Sequence, residues 1–577
     1  MLGRRQLRYQ TTDSKLSTFD KIFGPQTVEA KPSFKNRWLI VAPAFMTHMC
    51  IGSPWAWSAL SGTLAREHGF VTSAAMDWSL SETTFPLSIV FGLQGISAAF
   101  AGKWQMKVGA RLAMTVAGLC FGGGLLIGSV GVSTHNLWLL YLGYGVLGGC
   151  GVGIAYTPPL QCLISWFPDR KGLASGMTIA GFGSGALLFA PLSGYLMRQF
   201  ATMPQYLGPV SHLTTVTKDG RLFADMGGQL KEIVVASSAD LAALPYKLAE
   251  GAYVVGTGST GAAPALAVCG GFYLCTMLGA AFAIRKPAAG YVPAGYTPPA
   301  ESTTAGSSYN VNVDTVMKTP QFWALASMFF CIGTGGMGLF SVAKPMMTEV
   351  FSGSLPTLVT ASFATSYLLM LSAGNLLGRL GWAAFSDKFG RRTTFHMFTL
   401  GSIPLYLAVP FCVKALVSDP SVVPLYVFCT STVLAISFMG GTYAILPAYE
   451  ADLFGAKYVG AIHGRFLLAS TAAALAGPSI LLTLRSRSQV GAMQDLLAKA
   501  DPVKFQQVYS VPISQAQQLI EAKTLTIPKL MQLVPVGTPN PTPFLYDTTM
   551  YTMAGFMAVA AICHSVVKPI DPKYFEK

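Results

Sequence analysis

The chain has 577 residues, 52% of them hydrophobic and only 11% charged, with a formal net charge of +14 and a mean hydropathy of +0.48. Soluble globular chains carry about 25% charged residues, so an array of soluble domains is excluded. The positive charge has to be located before it is read as affinity for nucleic acid.

Apolar runs of roughly 18 or more residues read as membrane spans, because about 20 helical residues cross the hydrocarbon core. In chain order they lie near 38–60, 82–103, 111–131, 137–161, 172–196 and 262–284, and then near 320–343, 359–384, 394–415, 423–447, 461–483 and 548–567. Strand alternation is lacking, and lipid tolerates no unpaired backbone groups, so these runs are helices. The expected fold is an all-α membrane protein of twelve transmembrane helices in two six-helix halves.

Lys and Arg cluster in the amino-terminal tail, in short loops at Lys103/Lys107/Arg111, Arg170/Lys171, Arg285/Lys286 and Lys388/Arg391/Arg392, and in the carboxy-terminal tail. The alternate short loops carry little beyond Arg66, Lys344 and Lys414. Loops retained inside a membrane are enriched in positive charge, so both termini are expected in the cytoplasm, which an even helix count requires. A multi-pass protein of the plasma membrane is the default expectation, and no nucleic-acid partner is called for. The basic tail has no apolar stretch like that of a signal peptide. The ten cysteines fall in or at the edges of spans and act as small hydrophobes, with no CxxC pair or His box to suggest a metal or another cofactor.

The Pro-, Gly- and Ser-rich stretch RKPAAGYVPAGYTPPAESTTAGSS has the composition of a linker. The chain then divides into a cytoplasmic tail 1–37, a half 38–284 with a long external loop at about 199–261, a linker 285–319, a half 320–567 with a second long loop at about 484–547, and a tail 568–577. An internal repeat supports the division. GKWQMKVGAR at 102–111 aligns without gaps on AAFSDKFGRR at 383–392, matching Lys107, Gly109 and Arg111 to Lys388, Gly390 and Arg392. A weaker echo sets Tyr156 and Phe167 against Tyr443 and Phe454. Parallel halves of this kind typify major-facilitator transporters, with the substrate near the midplane between them.

SDKFGRR resembles the major-facilitator loop signature, in which an acid latches one conformation through basic residues or a helix end. Asp387, Lys388, Gly390, Arg391 and Arg392 fit it, with Ala383 in place of the leading glycine. The first-half copy has Met106 where the acid belongs, so a weak or missing latch is expected there.

Arg379 lies about 12 Å along the eighth span from Asp387 at 1.5 Å per residue. A charge so placed costs at least about 2.5–3.5 kcal/mol on insertion scales and should face a cavity or a partner. No Asp or Glu falls deep in a predicted span to neutralise it, which leaves an anionic substrate as the compensating charge. Guanidinium suits carboxylate by offering two parallel hydrogen bonds. The competing reading is an Arg that snorkels to the surface. Asn375 shares the helix face of Arg379 and corresponds in the repeat to Gln94; both amides are candidates for a polar site or for interhelical contact. Trp55, Trp57, Tyr156, Phe182 and Tyr443 are candidate pore aromatics, while His48 and His463 read as structural. Gly-rich stretches at 143–153 and 176–185 lie inside spans, which rules out a nucleotide loop and fits close helix packing. No cluster of nucleophile, base and metal ligand suggests an enzyme.

Several separated motifs, in order, resemble the oxalate:formate antiporters, with monocarboxylate transporters as more distant relatives. They are NRWLIV and PWAWSAL in the first span, WFPDRKGLASGMTIAGFGSG at 166–185, GYVPAGYTPP and MKTPQFW around the linker, GGTYAILPAYEADLFG and VGAIHGR leading into the eleventh span, and the closing VVKPIDPKYF. The resemblance implies exchange or uptake of small carboxylates by a transporter expected to act as a monomer, through a site with Arg379 as its cation. It implies Trp55, Tyr156, Phe182 and, more weakly, Tyr443 as the aromatic wall. Oxalate exchangers of that family pair this Arg with a Lys in the eleventh span; here Ser470 stands at that place, and Arg465 lies over one turn nearer the cytoplasmic end. A monocarboxylate therefore matches better than a dianion. Monocarboxylate–proton symporters use a Lys in the first span and an Asp one turn before the Arg; this chain has neither, and Asn375 replaces the Asp. A carboxylate sensor on a transporter scaffold is the alternative function.

Overall fold

In hydrocarbon a backbone can satisfy its polar groups only within the segment, and the apolar runs do so as long helices. The computed structural model describes residues 36–576 except 219–220, 227, 237–239, 242–243, 245, 288–290, 294, 297–309, 510–511 and 522–524. The expectations for the tail 1–35 and most of the linker therefore lie outside the described residues.

Among the described residues, twelve long helices build the bundle. They are α1 (Arg37–Ala56), α2 (Leu80–Val108), α3 (Ala110–Ser133), α4 (Leu137–Trp166), α5 (Lys171–Phe200), α6 (Ala262–Ala283), α7 (Pro320–Phe351), α8 (Ala361–Phe389), α9 (Arg391–Ser418), α10 (Val423–Phe454), α11 (Val459–Leu497) and α12 (Asp547–Ser565). Eleven are long and apolar enough to cross a membrane; α12, shorter and studded with Thr and Met, packs against α7 and α9 and completes the second half. Most helices run past the hydropathic limits. Hydropathy falls where charge begins, whereas a helix stops where its backbone is capped. α2 begins at a reciprocal cap between Ser79 and Glu82, and α8 begins with the Thr360 hydroxyl accepting from Phe363 N–H. Gly109 (φ 86°) ends α2 and Gly390 (φ 88°) ends α8, a left-handed geometry that favours glycine. The aligned glycines thus carry the internal repeat into the backbone.

The halves meet along two seams, α2 against α11 and α5 against α8 and α10. The cross-half hydrogen bonds run from mid-bundle to the end that bears the linker, here the linker face. They include Thr471 Oγ1 to Phe91 O (2.8 Å), Gln161 Nε2 to Lys457 O (3.0 Å) and Lys171 Nζ to Asp452 (2.8 Å). At that face a short helix, Val313–Val316, places Asp314 between the halves, where Lys103 of α2 and Arg465 of α11 each take one of its oxygens and hold its carboxyl below the ordinary range.

The opposite, loop face carries structure that hydropathy did not reveal. Between α5 and α6 lie β1 (Tyr206–Gly208), β2 (Thr215–Lys218), β3 (Arg221–Asp225), β4 (Leu230–Ala236) and β5 (Gly251–Val254), an antiparallel sheet in the order β1-β5-β4-β3-β2. Glu67, between α1 and α2, ties this segment down by accepting from the Ser259 and Thr260 hydroxyls, although burial still pushes its carboxyl up. Between α11 and α12, short helices at Pro502–Tyr509, Ala516–Glu521 and Ile527–Met531 cover the second half.

Candidate functional site

At mid-bundle a small cavity is lined by Trp55, Phe91, Gln94, Tyr156 and Phe182 from the first half. Met337, Tyr443, Ser470, Thr471 and Ala474 line it from the second. Six of the sequence candidates therefore converge on one space: Trp55, Gln94, Tyr156, Phe182, Tyr443 and Ser470. Helix spacing explains the convergence. Trp55 ends the α1 segment and leans on Phe91 of α2, with ring centroids 4.6 Å apart, while Tyr156 and Phe182 meet edge-to-face at 5.6 Å. Tyr443 and Ser470, on adjacent helices, share a hydrogen bond of 2.9 Å. Trp57 is not part of the cavity; it is fully buried, stacks on Tyr144 and donates to Thr83 O.

Arg379 and Asn375 sit one layer behind this lining. The guanidinium carbon lies 5.8 Å from the Phe182 ring and 5.7 Å from the Tyr443 ring, close enough for cation–π attraction from both sides. Arg379 Nε donates to Asn375 Oδ1 at 3.0 Å and Nη1 to Ile179 O of α5 at 2.9 Å, so the residue is 6% exposed and does not snorkel. No carboxylate pairs with it among the described residues. The close approach depends on glycine: a Cβ at Gly176 would stand 2.6 Å from Arg379 O, and one at Gly183 would stand 3.2 Å from Nε. Asn375 Nδ2 is buried without a partner, and no bond joins Asn375 to Gln94. Gln94 instead faces the cavity.

Arg465 points away, donating to Val313 O and Asp314 at the linker face, and Ser470 occupies the cavity wall. Arg379 is therefore the cation nearest the cavity lining among the described residues.

Sequence reasoning missed an acid. The expected tenth span stopped at 447, but α10 continues through Pro447 to Phe454 and buries Glu450 completely. The statement that no acid lies deep in a span is corrected accordingly. Glu450 and His463 are hydrogen-bonded, with the two carboxyl oxygens 3.0 and 3.1 Å from Nδ1, and His463 stacks on Tyr156 with centroids 5.7 Å apart. The available signal was that AYEADLF, between Pro447 and Gly455, contains no helix breaker. Phe91, Met337, Thr471 and Ala474 were also missed, since nothing in an apolar helix marks which small or apolar residue faces the axis.

The latch candidates divide. Asp387 accepts from the N–H groups of Gly172 (2.9 Å) and Leu173 (2.7 Å), capping the start of α5 with charge. Arg391 Nη2 holds the same carboxylate at 2.5 Å and reaches Asp452 at 3.2 Å. Gly390 makes the turn, whereas Lys388 and Arg392 are exposed at its rim. Met106, at the matching place in the first half, has no charge to offer α11.

The Major Facilitator Superfamily pattern matches residues 38–206. The apicoplast pyruvate carrier 1 of Toxoplasma gondii is 24% identical, covering 79% of this chain and 85% of its own length. The oxalate:formate antiporter of Oxalobacter formigenes is 26% identical over 78% of this chain and 86% of its own. Monocarboxylate transporter 13 of Rattus norvegicus is 30% identical over a shorter stretch, 28% of this chain and 36% of its own. Among solved structures, the fucose:proton symporter of E. coli superposes with a TM-score of 0.53 at 12% identity over 92% of this chain and 98% of its own, a likeness of fold. The chain is a multi-pass helical membrane protein similar in fold and in sequence to Major Facilitator Superfamily transporters, with the oxalate:formate antiporter and monocarboxylate transporters among its relatives.

Proposed function

We propose that the protein carries small monocarboxylates across a membrane by alternating access around Arg379. One observation carries the reading: a buried guanidinium, without a carboxylate partner, stands directly behind an aromatic-lined cavity at the junction of the halves. Such a charge is costly in a bilayer, and an incoming carboxylate offsets that cost while taking two donors from one planar group. With one cation at the site, a monoanion is neutralised and a dianion such as oxalate retains a net negative charge. The relatives named for pyruvate, for oxalate and formate, and for monocarboxylates support the substrate class.

Arg379 also bonds to Ile179 O across the α5–α8 seam, so separating the halves there requires this bond to break. A carboxylate supplies replacement acceptors. The conformation here is held shut at the linker face; the charge bias supports a cytoplasmic side for that face and for both termini, and the plasma membrane is the default setting for such a carrier. Purified protein in proteoliposomes should take up labelled pyruvate, lactate or formate saturably and much faster than oxalate. Saturable binding without flux would favour a sensor, and absence of both for every carboxylate would overturn the reading.

A further inference from the structure

We infer that the first half carries a second carboxylate site at the loop face, with Arg66 and Arg198 as its cations; the class of ligand rests on the carboxylate reading of Arg379. The short loops of that face hold few cations, and Arg66 is one of them. A cavity roomier than the central one opens there, between the segment joining α1 to α2, the end of α5 and the segment joining β4 to β5. Arg66, Arg198, Tyr246 and Thr260 give it polar groups, Phe70 and Met197 give it an apolar wall, and no Asp or Glu lines it.

Arg66 is the informative group. Its Nε is buried and meets no acceptor among the described residues. Both arginines follow helix ends, Arg66 just beyond Ser58–Leu64 and Arg198 in the last turn of α5, where a cation is favoured. That accounts for the charges, but not for a donor withdrawn from water with nothing to bond, an arrangement that is costly until an acceptor arrives. Burial pushes the Tyr246 phenol up, and Arg198 and Arg66 pull it back, so its hydroxyl stands in the field of both guanidiniums. A carboxylate among these three groups finds a planar fork and further donors for its two oxygens. Glu67 adjoins the cavity through Thr260, with both its oxygens taken by the Ser259 and Thr260 hydroxyls. Ionised, it balances one of the two cations and leaves a single positive charge for a monocarboxylate.

The wall is fixed in place. Asp77 accepts from the N–H groups of His68 (2.7 Å), Gly69 (2.9 Å) and Ala74 (2.8 Å), and Gly256 N–H donates to His68 O at 2.9 Å, which ties this segment to the sheet. Phe70 holds φ at 58°, a region that bulky residues avoid. Its ring is thereby buried against Tyr246, with centroids 5.5 Å apart.

Two helices lead from this site to the central one. Phe182 of the central lining lies about 24 Å down α5 from Arg198 at 1.5 Å per residue. Along that stretch α1 keeps close to α5, since a Cβ at Gly185 would stand 2.4 Å from Met49 O. The halves are joined from mid-bundle to the linker face, so in this conformation the anion arrives from the loop side. A cationic site there raises its local concentration on the approach to the cavity.

The test uses full-length protein in lipid nanodiscs with pyruvate as the probe. Gly194→Cys puts a thiol in the cavity wall at a position where an added Cβ meets nothing within 4 Å. Its alkylation by a neutral, water-soluble maleimide, counted above that of the native cysteines, should be slowed saturably by pyruvate and not by the uncharged amide of lactate. Adding Arg66→Gln should raise the half-protecting pyruvate concentration at least about tenfold, as expected when hydrogen bonds to a charged group are lost. Arg66→Lys should fall between, because the charge stays and the planar fork goes. Adding Arg379→Ala should leave the protection in place, which separates this site from the central cavity. Absence of protection would overturn the inference, as would equal protection by the amide. Protection lost with Arg379→Ala but kept with Arg66→Gln would overturn it too. Saturable pyruvate uptake without protection would leave the carboxylate reading of Arg379 standing. Protection in a protein with no carboxylate flux would support the second site and remove the transport reading.

Discussion

The two halves share a backbone plan but not a chemistry. The turn at Gly109 repeats at Gly390, and each half gives five residues to the cavity lining. Yet Arg379, Asp387, Glu450, Asp452 and His463 all belong to the second half. To the cavity and its surroundings the first half supplies aromatic rings, the Gln94 amide and the backbone of α5, to which Arg379 and Asp387 both bond. The cation behind the cavity and the acid that caps α5 thus both come from the second half.

Breaking that asymmetry at its centre should have the largest effect. Arg379→Ala should lower carboxylate exchange by roughly two orders of magnitude, since removing one member of a buried, charge-assisted contact costs about 2–5 kcal/mol. Arg379→Lys should recover part of it, because charge remains but the planar fork is lost. Initial rates of labelled pyruvate exchange measure both, and near-native exchange by Arg379→Ala would remove the site.

The latch offers a sharper comparison. Asp387→Asn should weaken the cap on α5 and its bond to Arg391, opening the linker face and slowing transport by about tenfold, as expected for hydrogen bonds to a charged group worth about 1.5–3 kcal/mol. Met106→Asp, which restores the acid in the first half, should instead change transport by less than about threefold, within what an exposed ion pair contributes. Spin-label distances across the linker face, read beside transport, would show whether the second half alone holds it shut.

A smaller effect is expected at the lining. Tyr443→Phe removes the bond to Ser470 while keeping the ring beside Arg379. The KM for the carboxylate should rise by about fivefold, in keeping with about 1 kcal/mol for a hydrogen bond. A change confined to kcat would argue that Tyr443 serves the motion of the halves and not the substrate.

The smallest lies at the start of α1, where Arg37 grips Asp169 with two bonds of 2.5 and 2.8 Å and holds its carboxyl below the ordinary range. Asp169→Asn should cost about 1 kcal/mol and lower the unfolding temperature at neutral pH. A depressed carboxylate stabilises above its unfolded pKa and loses that contribution as pH falls through the folded one. The gap between native and variant should therefore close below about pH 4. A gap independent of pH would show that packing, not charge, matters there.

The bundle was legible because burial in lipid writes itself as long apolar runs, and Arg379 was legible because it interrupts one. Other features were hidden for physical reasons. Glu450 follows Pro447 and resembles the end of a span, yet α10 is held by its neighbours and continues. The strands between α5 and α6 are short and amphipathic, with Leu222 and Ile233 paired across β3 and β4, so window averages over the loop conceal their alternation. The direction of Arg465 depends on Asp314, 151 positions away, a contact that no local pattern contains.

Asp314 divides its two oxygens between the halves, Lys103 on one and Arg465 on the other. Under the alternating access proposed above, Asp314 is expected to act as a clutch, still paired with one half when its bond to the other yields. The Lys103 and Asp314 side chains are 50% and 60% exposed, within reach of dissolved ions. Salt at about 0.15 M screens exposed charges over about 8 Å. The ease with which the clutch slips, and with it the resting balance between the two openings, should follow the ionic strength of the solution bathing the linker.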